Sequence, residues 1–165
     1  MAWVIGVVTA GPSLIEGVLT TQVPIDGEKI TPRLARWVRK SRFFPSLRAI
    51  LLQGITMAGL SVIDLPLLHD ETGLPVISVE RKIPRKGRLE ATLVKLSLED
   101  RVPSVKAAGP FHAFQKIVFA CAGLTPAEAR GILSQAHGRS RLPEGIRVAH
   151  LLGQALVLGE SRGRA

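Results

Sequence analysis

Leu47-Arg48-Ala49-Ile50-Leu51-Leu52-Gln53-Gly54-Ile55-Thr56-Met57-Ala58-Gly59, followed by Val62-Ile63-Asp64-Leu65-Pro66 and Pro75-Val76-Ile77-Ser78-Val79, is the stretch that decides the fold. Apart from Arg48, residues 47–52 are apolar without alternation. That pattern belongs to a strand covered on both faces. Asp64-Leu65-Pro66 opens a short helix, with Asp as cap and Pro in the first turn. Gly73 closes it. Residues 75–79 form a second buried strand. A strand, a helix and a strand in this order point to an α/β architecture.

Outward from this unit, Trp3 to Thr9 and Leu14 to Val23 read as an antiparallel hairpin around Ala10-Gly11-Pro12-Ser13. Asp26-Gly27 is a turn. Thr31-Pro32 starts a helix with Leu34, Ala35 and Val38 inward and Arg33, Arg36, Arg39 and Lys40 outward. Leu89 to Leu98 is predicted helical, and Phe111 to Ala120 a single strand. Thr125-Pro126-Ala127-Glu128 is a capping box. The last helix is predicted to begin at Pro143, carrying Ile146, Ala149, Leu152, Leu156 and Val157 at helical spacing. The whole is one domain, residues 1–165, an α/β sandwich with a mixed sheet.

The composition narrows the setting. The 165 residues are 46% hydrophobic and mean hydropathy is +0.25, so disorder is excluded. A net charge of +9 favours a polyanionic partner, DNA or RNA. With no Tyr and few aromatics, a stacking platform for single strands is poorly supplied. One cysteine, Cys121, rules out an internal disulfide, fits a reducing cytoplasm, and reads as inert core. Absence of Asn with scarce Cys and Met fits a thermophilic source. No apolar run is long enough to span a membrane, so no membrane partner is expected.

The chemistry is read from what is absent and what is left. GxGxxG, Walker, CxxC, HExxH and GxSxG signatures are all missing. Gln53 and the residues through Asp64 leave the carboxyl end of a buried strand, where open α/β sheets bind ligands. Asp64 has two compatible readings, helix cap and catalytic or metal ligand. Arg141-Leu142-Pro143-Glu144-Gly145-Ile146-Arg147-Val148-Ala149-His150 gathers two cations, a carboxylate and an imidazole at one helix start. It is either a salt-bridged, solvated helix end or an anion or metal site. Arg81, Lys82, Arg85 and Lys86 cluster around Pro84 in a loop, as a solvated turn or a phosphate-binding patch. His137, beside Arg139 and Arg141, reads as a surface or phosphate contact.

The residues 47–59, 62–64 and Glu71-Thr72-Gly73-Leu74-Pro75-Val76-Ile77, with Arg141-Leu142-Pro143-Glu144, Arg147, Ala149 and His150, resemble the endonuclease dU family. That family is mainly archaeal and related to endonuclease V. The resemblance implies a ribonuclease H-like fold and metal-dependent cleavage of damaged or deaminated nucleic acid. On that implication Asp64 and Glu144 hold Mg²⁺ or Mn²⁺, whose bound water attacks the phosphodiester. His150 supports the ligands or the leaving group, Gln53 orients the strand or a water, and Arg81, Lys82, Arg85, Lys86, Arg139, Arg141 and Arg147 bind phosphates. The chain departs from the pattern in three places. The family's first strand, central in the sheet and bearing a metal-binding Asp, is not in these residues. Gln53 replaces an expected Asp, and Gly59-Leu60-Ser61 stands where Gly-Phe-Asn is usual. Either the true start lies upstream of Met1, or the chain is a non-catalytic nucleic-acid-binding or scaffold protein. The missing strand predicts a gap between Trp3–Thr9 and Leu47–Leu52, a rearranged pairing, or a strand donated by a second copy.

Overall fold

A computed structural model describes residues 1–162. The central element is a four-stranded mixed sheet in the order β3-β6-β8-β7, formed by β3 (Ile50–Gln53), β6 (Val76–Glu80), β7 (His112–Phe114) and β8 (Ile117–Ala122). β3 runs parallel to β6, and β6 antiparallel to β8. Between β3 and β6 lie a two-stranded ribbon, β4 (Thr56–Met57) with β5 (Ser61–Val62), and helix α2 (Leu65–Thr72). α3 (Arg88–Lys95) and α4 (Val102–Ala107) follow β6, while α5 (Pro126–Ala136) and α6 (Glu144–Leu158) follow β8.

Strand alternation sorts the core into two layers. Val76 and Ala120 pack with Leu34, Ala35, Leu65, Leu68 and Leu93 under α1 (Ile30–Lys40), α2 and α3. Ile77, Val79 and Phe119 point the other way, against Ala129 and Leu133 of α5 and Ile146 of α6. β6 is therefore covered on both faces, as its unbroken apolar run requires. None of the described helices is long and apolar enough to cross a membrane.

The hairpin forms as predicted. β1 (Ala2–Ala10) pairs antiparallel with β2 (Leu14–Val23), with a bulge at Val8/Thr9. It does not join the four-stranded sheet. β1 pairs only with β2, and β3 only with β6. Of the three arrangements expected here, the described residues show the gap. A groove of about 1030 Å³ separates β1 from β3. Leu34 and Trp37 of α1 wall one side, and Ile146, Ala149 and Gly153 of α6 the other.

Four local expectations need correction. Residues 111–120 are not one strand. They turn at Gln115, whose φ of 51° is left-handed, and β7 folds back on β8. The turn is made by Gln115-Lys116 without Gly, Pro, Asn or Asp to mark it. The strand expected from Leu47 begins only at Ile50, since Phe44–Ser46 is a 3-10 turn. The helix predicted over 89–98 ends at Lys95. α6 starts at Glu144, with Pro143 as its cap residue.

A buried guanidinium ties the turns together. Arg101 is 8% exposed and donates to the carbonyls of Leu60 (2.8 Å) and Asp26 (2.7 Å). Asp26 in turn accepts from the Leu60 amide at 2.6 Å and donates its own amide to Ala58 O at 2.8 Å. The loop before α1 and the β4–β5 turn are thereby locked in register. Arg101→Ala strands two carbonyls, and we expect it to cost about 1–3 kcal/mol in chemical denaturation. A Tm unchanged in this variant would dismiss the clamp. The gap makes its own prediction. Those β1 amides turned away from β2 have no ladder partner, so hydrogen exchange should show alternating fast and slow amides along β1. Uniform protection would mean the edge is covered.

Candidate nucleic-acid interface

The carboxyl ends of β3 and β6 place the site. Gln53, the exposed last residue of β3, pairs with Val79, and the Gly54 amide donates to Val79 O at 2.9 Å. Gly54 has φ 73°, and a Cβ there would lie 2.7 Å from Glu80 Oε1. The left-handed φ favours glycine where the chain leaves β3 with the Glu80 carboxylate across it. Glu80 is half-buried and makes no ion pair among the described residues. Burial pushes its carboxyl above the ordinary carboxylate range.

The segment before α6 is bolted to the same sheet end. Arg141 Nε donates to Lys116 O in the β7–β8 turn at 2.7 Å, and its Nη2 to Arg81 O at 2.9 Å. Arg141 thus fastens the root of the basic loop. The structure brings Arg81, Lys82, Arg85, Lys86 and Arg139 to this end with every side chain exposed. None of the five forms an ion pair among the described residues.

At the helix start, Arg147 meets Glu144 in a two-pronged pair, with Nε to Oε2 at 2.9 Å and Nη2 to Oε1. The Arg147 hydrogen bond holds the Glu144 carboxyl below its usual range. Of the two readings of this segment, the salt-bridged helix end is therefore present, and Arg147 has its charge matched. His150 points elsewhere: it is exposed, its Nε2 is 3.1 Å from Gln154 Nε2, and with Gln53 it lines the groove. His137 is half-buried rather than a surface contact. Its ring meets Phe114 edge-on and its Nδ1 is buried without a partner. Cys121 is only partly buried, its thiol directed at Leu124 O and pushed up by burial.

Asp64 is a cap. Its Oδ1 accepts from the Leu67 amide at 2.9 Å, and its own amide donates to Thr31 Oγ1 at 3.0 Å. No three of His, Cys, Asp and Glu converge on a metal-sized space among the described residues. A two-metal hydrolase needs several carboxylates around cations about 3.5–4 Å apart. Asp64 caps α2 through one oxygen and Glu144 is paired with Arg147, and with no group of three such ligands among the described residues the side chains present do not fit such a centre. Glu80 and Arg101 escaped sequence reasoning. The signal for Glu80 was its place as the first acid after an apolar strand, at the ligand-binding end. Arg101 carried none, since it reads like any surface cation.

The family model for endonuclease dU matches residues 1–157. The chain belongs to the endonuclease dU family. An archaeal relative, a UPF0215 protein of Methanopyrus kandleri, is 43% identical over 171 residues, covering 99% of this chain and 87% of the relative. A UPF0215 protein of Archaeoglobus fulgidus is 36% identical, covering 98% of this chain and 90% of its own length. A crystal structure from Archaeoglobus fulgidus, described as a protein of unknown function, superposes with a TM-score of 0.88. It is 34% identical and covers 93% of this chain and 89% of that one.

Glu80 yields a pH-dependent prediction. Its folded pKa is raised, so ionisation penalises the folded state at neutral pH, and the penalty disappears as pH falls below the unfolded value. Glu80→Gln should raise Tm by up to a few degrees near about pH 7 and make no difference below about pH 4. A Tm gain that persisted in acid would rule out this origin.

Proposed function

We propose that this endonuclease dU family protein binds DNA or RNA, with phosphates held by Arg81, Lys82, Arg85, Lys86 and Arg139. In this reading the frame is ribonuclease H-like with one sheet position unfilled. The observation that carries it is the pair of hydrogen bonds that Arg141 donates to Arg81 O and Lys116 O. It fixes the root of an otherwise solvated loop at the ligand-binding end of the sheet. Five exposed cations there lack carboxylate partners among the described residues.

The family's name favours a second reading, phosphodiester cleavage at damaged or deaminated positions. In that reading Asp64, Glu144, His150 and Gln53 would serve the reacting phosphate, but Mg²⁺ or Mn²⁺ would need ligands beyond those that converge among the described residues. Cleavage therefore demands more than these side chains as they stand. Binding does not.

Both readings are tested together. Binding to duplex DNA should weaken linearly in log–log with salt. Replacing Arg81, Lys82, Arg85 and Lys86 with Ala should reduce the slope by about 3.6, at about 0.9 per phosphate lost, for all base sequences alike. An unchanged slope would move the contact elsewhere. Incubation with deoxyuridine- or deoxyinosine-containing duplex and Mn²⁺ decides the second reading. Cleavage that Asp64→Asn abolishes while binding survives would establish an enzyme. Binding without cleavage leaves the first reading standing alone.

A further inference from the structure

We infer that the outer face of α1 is a second contact for a nucleic-acid backbone, separate from the 81–86 loop; this rests on the reading that the chain binds nucleic acid. α1 carries Arg33, Arg36, Arg39 and Lys40 and no acid. Arg33–Arg36 and Arg36–Lys40 are spaced three and four apart, so like charges are neighbours on one face. Such pairs oppose helix formation, and carboxylates at the intervening exposed positions would ordinarily offset them. Here none does. Glu28, just before the helix, makes no ion pair with it, and neither does any other described acid. The helix is held instead by its inner face, where Leu34 and Ala35 are buried.

The cations converge on a shaped surface. Arg33, Arg36 and Lys40 line a groove of about 210 Å³ between α1 and β2, with Thr21 and Gln22 on its other wall. No Asp or Glu lines it. Three cations with a hydroxyl and an amide suit successive phosphate oxygens, which accept hydrogen bonds and carry one charge each. An acidic protein surface would offer fewer charges at that regular spacing.

The surface is distinct from the loop. Arg39 Nη1 donates to Glu71 O at 3.5 Å, near the end of α2, just before β6 begins. The 81–86 loop leaves the opposite end of β6. A backbone that touches both must run the length of the strand, so the two sets of contacts should add.

The test uses the full chain and a DNA duplex of about 20 base pairs, with salt slopes measured for the wild-type protein and four variants. The Arg33→Gln, Arg36→Gln, Lys40→Gln triple variant should lower the slope by about 2.7. Combined with the four-Ala loop variant, the losses should sum. Arg33→Lys with Arg36→Lys should keep the wild-type slope, because charge and not guanidinium shape is used. An unchanged slope in the triple variant, alongside a loss in the loop variant, would overturn the second contact alone. No binding by the wild-type protein would overturn both readings. Far-UV circular dichroism and Tm of the triple variant confirm the fold; if it unfolds, the single variants Arg33→Gln, Arg36→Gln and Lys40→Gln should each lower the slope by about 0.9, and unchanged slopes in all three would overturn the second contact.

Discussion

β6 has almost no surface: Val76, Ile77, Ser78 and Val79 are fully buried. A backbone in that position must find a hydrogen-bond partner on each edge, because an unpaired buried amide is costly. β3 and β8 supply them. The pairing fixes which residues come out at the strand ends. Gln53 and Gly54 emerge beside Glu80, and Lys116 lies in the turn just before β8, close enough for Arg141 to reach both its carbonyl and that of Arg81. The basic loop and the start of α6 are neighbours because one strand is paired on both sides.

The same pairing rule is unmet one position outward. β3 gives one edge to β6 and β1 gives one edge to β2, and their other edges face the groove. The two helices α1 and α6 still cover its sides, so the layers persist although the sheet is interrupted. Stability in this half of the molecule comes from side-chain burial against those helices and from the Arg101 clamp. Ladder hydrogen bonds do not bridge it.

Much of the fold was legible because long apolar runs and turn residues agree. Trp3–Thr9 with Leu14–Val23, the strand at 75–79, the Asp64 cap and the Thr125–Glu128 box all follow from local chemistry, and the box is realised with both of its bonds. What was not legible is short or long-range. β4 and β5 have two residues each, too few for a period. α4 has six. The turn at Gln115 is made without Gly, Pro, Asn or Asp to signal it. Among site residues, the spacing of Glu144 and Arg147 allowed their pairing, yet spacing alone could not say that the carboxylate would take the guanidinium rather than a metal. Arg141 looked like a free cation because its acceptors are carbonyls far away in sequence, and carbonyls leave no mark in composition.

Two opposing tendencies meet in this chain. Strand edges facing an apolar groove invite another strand, the ordinary hazard of an unprotected edge. A net charge of +9 keeps copies apart. Salt acts differently on each. It screens the repulsion between copies, which favours edge pairing, and it weakens phosphate binding by competing for the cations. In the proposed binding reading, nucleic acid would act as salt does on repulsion, but through the cations themselves: bound phosphates would neutralise the faces that separate two copies. On that reading the basic surface and the open edge would be linked through charge, even though no hydrogen bond joins β1 to β3.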